Sequence, residues 1–181
     1  AASGPGPLSF SFRLRPGVPA DIPALSRAYA RSWRETYGAF APAAFTEGMT
    51  EAAAARIFAE SLGPNAFSYF LYVAEAEGSL VGFADGGRER GRPEGGEGEL
   101  YALYLLRDFQ GRGMGRALLG AALARLGAQG LHPGVAWVLE HNPSRKFYEA
   151  MGGTLGRDRK TLRVGDLPLT LVPYRWATKP L

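Results

Sequence analysis

The sequence contains no cysteine, and this absence excludes several kinds of chemistry. Without thiols the chain can form no disulfide, no thiolate metal site and no cysteine nucleophile. Histidine is almost as scarce: His132 and His141 are the two in the chain, too few for a histidine-rich metal site. We therefore expect a protein that works without a metal.

Long apolar runs and a strong charge of one sign are also missing. No apolar run approaches the roughly 20 residues that a membrane-spanning helix needs, so we expect no membrane partner. The net charge of +4 is modest, and the arginines are scattered along the chain. A nucleic-acid partner would more often require a basic face interleaved with aromatic residues. The positive balance suits a polyanionic cofactor instead.

The length of 181 residues suggests one domain with a sizeable core. Residues 1–7 are small and rich in glycine and proline, which is typical of a disordered tail or an expression remnant. We expect residues 8–181 to form a single domain.

Hydrophobic periodicity predicts a mixture of strands and helices. Strands are predicted at 10–14, 70–74, 79–84, 99–106, 135–139, 159–164 and 167–174, and helices at 21–37, 50–62, 117–126 and shortly after 142. Residues 86–98 are charged and rich in glycine, which predicts a long loop. Strand 99–106, helix 117–126 and strand 135–139 form one right-handed βαβ unit, so the fold class is mixed α/β.

A glycine-rich turn lies between an apolar strand and an alanine- and leucine-rich helix. Its residues are Gln110, Gly111, Arg112, Gly113, Met114, Gly115 and Arg116. Glycine permits the backbone angles of a tight turn and leaves room for an anion beside the backbone. The first N–H groups of a helix lack partners and carry the positive end of its dipole, and arginine binds phosphate through two parallel hydrogen bonds. The turn therefore predicts a phosphate-binding site.

Several phosphate ligands can be compared with this turn. A P-loop needs Lys-Ser/Thr after its glycines, and none is present. The third glycine of a dinucleotide fingerprint is missing, although Glu140 stands about 20 residues further on, where a ribose-binding acid would lie. Gln110, Gly113 and Gly115 do fit the pattern Gln-x-x-Gly-x-Gly. The alternative is a glycine-rich turn that simply precedes a core helix.

The pattern Gln-x-x-Gly-x-Gly resembles the GCN5-related N-acetyltransferase (GNAT) superfamily, in which this turn holds the pyrophosphate of coenzyme A. The segment from Asn142 through Phe147 and Tyr148 resembles a second motif of the superfamily. There an asparagine contacts the pantetheine arm and a tyrosine lies beside the thioester sulfur. Asn142 stands one residue closer to Tyr148 than in the commonest form, so either Asn142 or His141 takes the asparagine role.

Segments 13–16 and 33–37 are also similar to the superfamily, so the resemblance covers about residues 12–176. It implies a mostly antiparallel twisted sheet with one parallel βαβ unit and flanking helices. It implies direct transfer of an acetyl group from acetyl-CoA, as co-substrate, to a primary amine of a small molecule or a protein. We expect a cytoplasmic enzyme, and a homodimer is compatible because the superfamily is often dimeric.

The resemblance also assigns two catalytic candidates. Glu99 starts the strand that leads into the turn, where the superfamily's base falls, and strict alternation places it on one face with Tyr101, Leu103 and Leu105. Tyr148 is the candidate acid that protonates the departing sulfur. The alternatives are a solvated glutamate at a strand end and an aromatic anchor in the core.

Backbone and aromatic groups complete the expected site. The resemblance implies that Leu103 and Leu105 pair with pantetheine through their backbone, as an added strand would, and that the Leu105 N–H holds the carbonyl oxygen. Trp33 and Tyr37 are candidates for the acceptor pocket, although their helical spacing equally fits a core stripe.

Three other functions remain open from the sequence. The same fold can serve as a non-catalytic CoA-binding or sensory module, which binds the coenzyme without turnover. A basic nucleic-acid-binding domain would show a steep salt dependence of its affinity. A dinucleotide enzyme would bind NAD.

Overall fold

The computed structural model describes residues 10–92 and 94–178, so the predicted tail at 1–7 lies outside the described residues. The strands are β1 (Arg13–Pro16), β2 (Phe70–Ala76), β3 (Ser79–Arg88), β4 (Gly98–Leu105), β5 (Gly134–Leu139), β6 (Thr154–Leu155), β7 (Lys160–Val164) and β8 (Leu167–Trp176). The α-helices are α1 (Ile22–Tyr37), α2 (Ala43–Gly48), α3 (Glu51–Ser61), α4 (Met114–Ala128) and α5 (Arg145–Ala150).

The strands form one eight-stranded sheet in the order β1-β2-β3-β4-β5-β8-β6, with β7 paired to β8. β4 and β5 are parallel, while the other strand pairs are antiparallel. Helix α4 connects the two parallel strands, as a crossover must. The predicted mixed α/β fold with one parallel unit is confirmed.

Helices cover both faces of the sheet and create two cores. On one face, Leu118 and Leu126 of α4 pack with Tyr148 of α5 against the sheet. On the other face, Leu25 of α1 and Phe58 of α3 form the second core. One face of α4 is buried along the whole helix, from Met114 to Gly127, because apolar residues recur on that face.

Local signals in the sequence set the ends of two helices correctly. Helix α1 ends before Gly38, as predicted. Thr50 caps α3, because its side-chain oxygen accepts a hydrogen bond from the Ala53 N–H at 3.1 Å. Among the described residues, no helix is both long enough and apolar enough to cross a bilayer.

The predicted loop at 86–98 is shorter in the structure, because β3 continues to Arg88 and β4 begins at Gly98. A Cβ atom on Gly86 would lie 2.4 Å from the Glu99 carbonyl oxygen and 2.7 Å from the Phe70 ring. Glycine at this position therefore permits close packing within a strand, which sequence composition alone does not distinguish from a loop.

One further boundary and two short elements differ from the prediction. The first strand is Arg13–Pro16 rather than 10–14, since it pairs with β2 at those positions. The short elements α2 and β6 were not predicted. Both are too short to show a periodic pattern, and β6 makes only two residue pairs with β8.

Candidate active site

A cleft opens where the two parallel strands separate. β4 and β5 pair over three residues each, and the last pair joins Leu100 to Ala136. Beyond this pair both strands line a cavity of about 860 Å³, which also reaches the glycine turn, α1 and α5. A break in sheet pairing leaves backbone groups of the strands without ladder partners, so such a cleft can accept an extended ligand.

The cavity wall is built from α1, the two parallel strands, the turn, the region of α5 and β8. Helix α1 contributes Tyr29, Ser32, Trp33, Glu35, Thr36 and Tyr37, and the two parallel strands contribute Tyr101, Ala102, Leu103, Tyr104, Leu105, Trp137, Val138 and Leu139. The turn contributes Gln110, Gly111, Gly113, Gly115 and Arg116. The region of α5 contributes Asn142, Pro143, Ser144, Phe147, Tyr148 and Met151, and β8 contributes Leu171.

The glycine turn presents free backbone donors at the start of α4. Gly111 and Gly113 have φ angles of 73° and 87°, and a Cβ atom on either would meet open space. Within the described residues, none of the N–H groups of 111–116 donates to a protein acceptor. Gly115 has a different role, because a Cβ atom there would lie 3.2 Å from the Phe147 ring. The turn can therefore receive an anion at the N-terminus of a 15-residue helix.

The side chains of the turn do not all reach the cavity. Arg116 lines it, whereas the guanidinium of Arg112 lies over the Phe10 ring at 4.7 Å and 5.7 Å from the centre of Phe109. Met114 is fully buried, so only its backbone faces the turn. Of the two arginines, Arg116 is therefore the one positioned for a phosphate in this conformation.

Gln110 connects the turn to the end of β4. Its side-chain amide donates to the Leu105 carbonyl oxygen at 3.0 Å. The Leu106 N–H donates to Val81 of β3 at 2.9 Å, so the backbone groups of Leu103 and Leu105 point the other way, toward the cleft. The structure therefore turns the backbone of both leucines toward the cleft, with the Leu105 carbonyl already bonded to Gln110.

Asn142 and His141 lie in very different surroundings. Asn142 lines the cavity, and its Oδ1 atom accepts a hydrogen bond from the Ser144 N–H at 2.9 Å. The side chain of His141 is 96% exposed and lies 4.0 Å from the Glu140 carboxylate. The position of Asn142 favours it over His141 as the residue that contacts a ligand in the cleft.

Tyr148 lies in the cavity wall, packed against Tyr174 and Trp176 at centroid distances of 6.1 Å and 5.7 Å. Its hydroxyl makes no hydrogen bond to another described residue. Burial raises the pKa of Tyr148 to about 12, so the hydroxyl carries its proton at neutral pH. Tyr148 can therefore act as a proton donor to a ligand in the cleft.

Glu99 lies behind the wall of the cavity rather than in it. Its side chain is 4% exposed, and its Oε1 atom accepts from Nη2 of Arg90 at 2.8 Å. Its Oε2 atom accepts from the backbone N–H of Arg90 at 2.9 Å and from Nε of the same residue at 3.3 Å. Both carboxylate oxygens are thus engaged with one residue of the loop between β3 and β4.

A β-bulge corrects the predicted face of Glu99. Consecutive residues of β3 pair with residues on either side of Tyr101, which is the extra residue of β4. Leu100 packs on the α4 side of the sheet, as do Leu103 and Leu105. Glu99 therefore points to the opposite, α1-facing side, and strict alternation was wrong because a bulge cannot be seen in the sequence.

The predicted acceptor residues Trp33 and Tyr37 line the cavity and also pack with each other at 4.6 Å. Trp33 donates from its indole nitrogen to the Phe45 carbonyl oxygen at 3.3 Å. Trp33 and Tyr37 therefore line the pocket and pack against neighbouring aromatic rings at the same time, so both sequence interpretations, pocket wall and core stripe, apply to them. Glu35, one turn from Arg31 and bonded to it at 2.8 Å, also lines this end of the cavity and was missed.

A buried acid near the site was also missed. Asp85 is 9% exposed, and its Oδ2 atom accepts from the Tyr69 hydroxyl at 2.8 Å. Its Oδ1 atom has no hydrogen-bond partner among the described residues, and burial raises the pKa of Asp85 to about 6. No pattern in the sequence points to Asp85, because the residue follows a predicted strand and precedes two glycines.

Within residues 10–92 and 94–178, no group of three or more histidine, aspartate or glutamate side chains is arranged to hold a metal ion. The lining of the cleft offers backbone amides, one arginine, hydroxyl groups and the carboxylate of Glu35.

Comparison with known proteins agrees with this geometry. The model of the Acetyltransferase (GNAT) family matches residues 26–153, which include most of α1, both parallel strands, the glycine turn and α5. The chain is also similar to the uncharacterised N-acetyltransferase YuaI of Bacillus subtilis (strain 168). The two are 34% identical over 130 residues, which cover 72% of this chain and 73% of the relative.

Solved structures share the fold at lower identity. The ribosomal-protein-alanine N-acetyltransferase from Brucella melitensis has a TM-score of 0.72 at 22% identity, covering 91% of this chain and 99% of that one. A phosphinothricin acetyltransferase from Sinorhizobium meliloti, in complex with acetyl-CoA, has a TM-score of 0.71 at 24% identity, covering 93% and 89%. At this identity the similarity establishes the common fold.

Proposed function

Because the chain belongs to the acetyltransferase (GNAT) family, we propose that it transfers an acetyl group directly from acetyl-CoA to a primary amine. The observation that supports this most strongly is the cleft between β4 and β5, which leads from a turn of free backbone amides to the phenol of Tyr148, neither of which has a hydrogen-bond partner among the described residues. Acetyl-CoA carries a diphosphate, an extended arm with amide groups and a thioester in this order. The amides of the turn, the cleft between the strands and the phenol suit these three parts in turn.

The proposed cofactor position uses backbone groups at both ends. The N–H groups of 111–116 and the guanidinium of Arg116 bind the diphosphate, because helix N-termini and arginine favour anions. The amide groups of the pantetheine arm pair with the backbone of Leu103 as an added strand would. In this proposal the Leu105 N–H donates to the thioester carbonyl, and Asn142, which also lines the cavity, contacts the arm.

The proposed reaction is a direct nucleophilic substitution at the thioester carbon. The free amine forms the new N–C bond, the carbonyl oxygen gains charge that the Leu105 N–H stabilises, and the C–S bond then breaks. Tyr148 gives its proton to the departing sulfur, so that coenzyme A leaves as a thiol. The nitrogen loses a proton to solvent as the amide forms. The Tyr148 phenolate takes up a proton from solvent, which restores the phenol.

Deprotonation of the acceptor is the step that requires a base, because an ammonium with a pKa of about 10.4 is almost fully charged at neutral pH. We propose Glu99 for this role, through water, since its carboxylate lies behind the wall and is held by Arg90. Opening of the Arg90 contact would free one carboxylate oxygen for that proton.

The acceptor is proposed to enter between α1 and the strands. Trp33 and Tyr37 supply aromatic surface there, and Glu35 is a carboxylate in the same part of the wall. Relatives of this fold act on acceptors as different as a ribosomal-protein alanine and phosphinothricin, so the family alone does not select a small molecule or a protein.

Thiol release from acetyl-CoA, measured against a panel of primary amines, tests the proposal. We expect release that depends on the amine, with the acetylated amine identified by mass spectrometry. Binding of acetyl-CoA without release for any amine would favour the non-catalytic CoA-binding module, and absence of binding would contradict both functions.

A further inference from the structure

Two aromatic rings stand at the closed end of the cleft. Tyr101 and Trp137 directly follow the last pair of β4 with β5, which joins Leu100 to Ala136, and both line the cavity. The Tyr101 hydroxyl donates to the Arg88 carbonyl oxygen at 2.6 Å. The indole nitrogen of Trp137 is buried and has no hydrogen-bond partner among the described residues. An extended group that enters from the glycine turn therefore meets these rings at its far end.

Each ring is held in place by a cation. The guanidinium of Arg90 lies 4.3 Å from the centre of the Tyr101 ring, and the ammonium of Lys160 lies 4.2 Å from that of Trp137. Contacts of this kind are favourable and become stronger where water is excluded. Each ring is therefore covered by a cation on one of its faces.

Each cation is in turn held by a buried carboxylate. Arg90 is bound by Glu99, and Lys160 is bound by Glu89, which is 2% exposed. Burial raises the pKa of Glu89, but hydrogen bonds from Lys160 and from backbone N–H groups outweigh burial and hold the pKa below its usual value. Glu89 and Arg90 are adjacent in the loop after β3, so one short segment fixes both rings.

From this arrangement we infer that Tyr101 and Trp137 determine the length of the acyl chain that the enzyme accepts, and restrict it to short groups such as acetyl. The inference rests on the proposed function, since it concerns the cofactor bound in the same cleft. Lys160 and Glu89 act as positioning residues through Trp137. A longer chain would have to displace a ring that a cation, itself paired with a buried carboxylate, holds in place, or to pass between paired strands.

The test compares acetyl-CoA with hexanoyl-CoA as donors, using the best amine from the acceptor panel. We expect kcat/KM for hexanoyl-CoA to be lower by at least about 100-fold in the wild type, because a single methylene in a closed pocket discriminates by roughly 10- to 200-fold. Trp137→Ala should raise the ratio of hexanoyl to acetyl kcat/KM by about 10-fold or more. Trp137→Leu removes less volume and should raise the ratio less.

Two further variants separate this role from others. Trp33→Ala is the matched control, since it opens the same cavity on the α1 side and should leave the donor ratio unchanged. The pair Lys160→Met with Glu89→Gln removes both charges together, which avoids leaving a buried charge unpaired. This double variant keeps the Trp137 indole but removes the cation that holds it, so the ratio of hexanoyl to acetyl kcat/KM should rise by a few-fold. The affinity for hexanoyl-CoA, measured by calorimetry, should rise in parallel.

Failure of the inference and failure of the proposed function give different results. Equal use of both donors by the wild type would overturn the inference. It would also be overturned if Trp137→Ala and Trp137→Leu left the donor ratio unchanged and raised only the KM for the amine. Loss of turnover with every donor in the wild type would instead contradict the proposed function. Thermal denaturation of each variant confirms that the rates compare folded proteins.

Discussion

The Tyr148 hydroxyl lies in the cavity wall and has no hydrogen-bond partner in the part of the chain that the structure describes, so its removal should affect chemistry more than folding. We expect Tyr148→Phe to lower kcat by about 100-fold, a typical contribution of a general acid. The ring and its packing on Tyr174 and Trp176 remain, so the KM for acetyl-CoA and the melting temperature should change little. Steady-state thiol release and thermal denaturation measure these two effects.

Tyr174→Phe is the matched control. The Tyr174 hydroxyl accepts from Arg145 at 2.9 Å and donates to Glu149 at 2.5 Å, so this variant should lose stability and keep most of its kcat. A Tyr148→Phe enzyme with unchanged kcat would remove the general-acid assignment.

Asp85 should make the stability of the protein depend on pH, because burial raises the pKa of this residue from an ordinary value of 3.8 to about 6. Between those pH values the folded chain binds a proton that the unfolded chain releases, so wild-type stability is lost as the pH rises from about 4 to about 6. Asp85→Asn should not share this loss. Its free energy of unfolding should therefore rise relative to the wild type by about 3 kcal/mol across the window, at roughly 1.4 kcal/mol per pKa unit.

Urea unfolding of both proteins at pH 4 and pH 7 measures this difference. Groups common to the two proteins cancel in it, which leaves the contribution of the substituted carboxyl. A difference that is the same at both pH values would show that Asp85 titrates normally.

At the scale of the element, the glycines of α4 separate backbone geometry from packing. Gly113 precedes the helix with a φ angle of 87°, whereas Gly120 lies inside it and faces open space. We expect Gly113→Ala to lower the free energy of unfolding by about 1–2 kcal/mol, since a Cβ atom strains left-handed backbone. Gly120→Ala should raise it by roughly 0.5–1 kcal/mol, because alanine restricts the unfolded chain and suits a helix.

Chemical denaturation of both variants checks this pair. Gly113→Ala should also weaken acetyl-CoA binding, because the turn that aligns the amides is distorted, while Gly120→Ala should bind as the wild type does. Equal stability changes in the two variants would mean that the backbone of the turn is not strained by a side chain.

Length and apolar pattern decided which helices and strands the sequence could predict. Helices α1, α3 and α4 were predicted because each is longer than ten residues and carries an apolar stripe or a cap. The bulge at Tyr101 was not, since it depends on how β4 pairs with β3 rather than on residue type. This single irregularity moved Glu99 to the other face of the sheet.

For the whole molecule, the sequence predicted the order of functional segments better than their mutual positions. The turn at 110–116 and the segment at 142–148 meet in one cavity, as their resemblance to a family implied. The contributions of Trp137 and Glu35 to the cavity wall arise from topology, because residues distant in the chain come together only where β4 and β5 separate. The ion pairs of Glu89 and Glu99 depend on the same arrangement and have no local signal.

Everything proposed for this molecule depends on the binding of the coenzyme's diphosphate by the amides of the turn and by Arg116. Calorimetric titration of acetyl-CoA into the wild type, Arg116→Gln and Arg112→Gln tests this most directly, since Arg112 lies on the Phe10 ring instead. We predict saturable binding to the wild type, a loss of about 10-fold or more in affinity for Arg116→Gln, as for a charged hydrogen bond, and little loss for Arg112→Gln. No heat with the wild type, or equal losses in the two variants, would contradict the account.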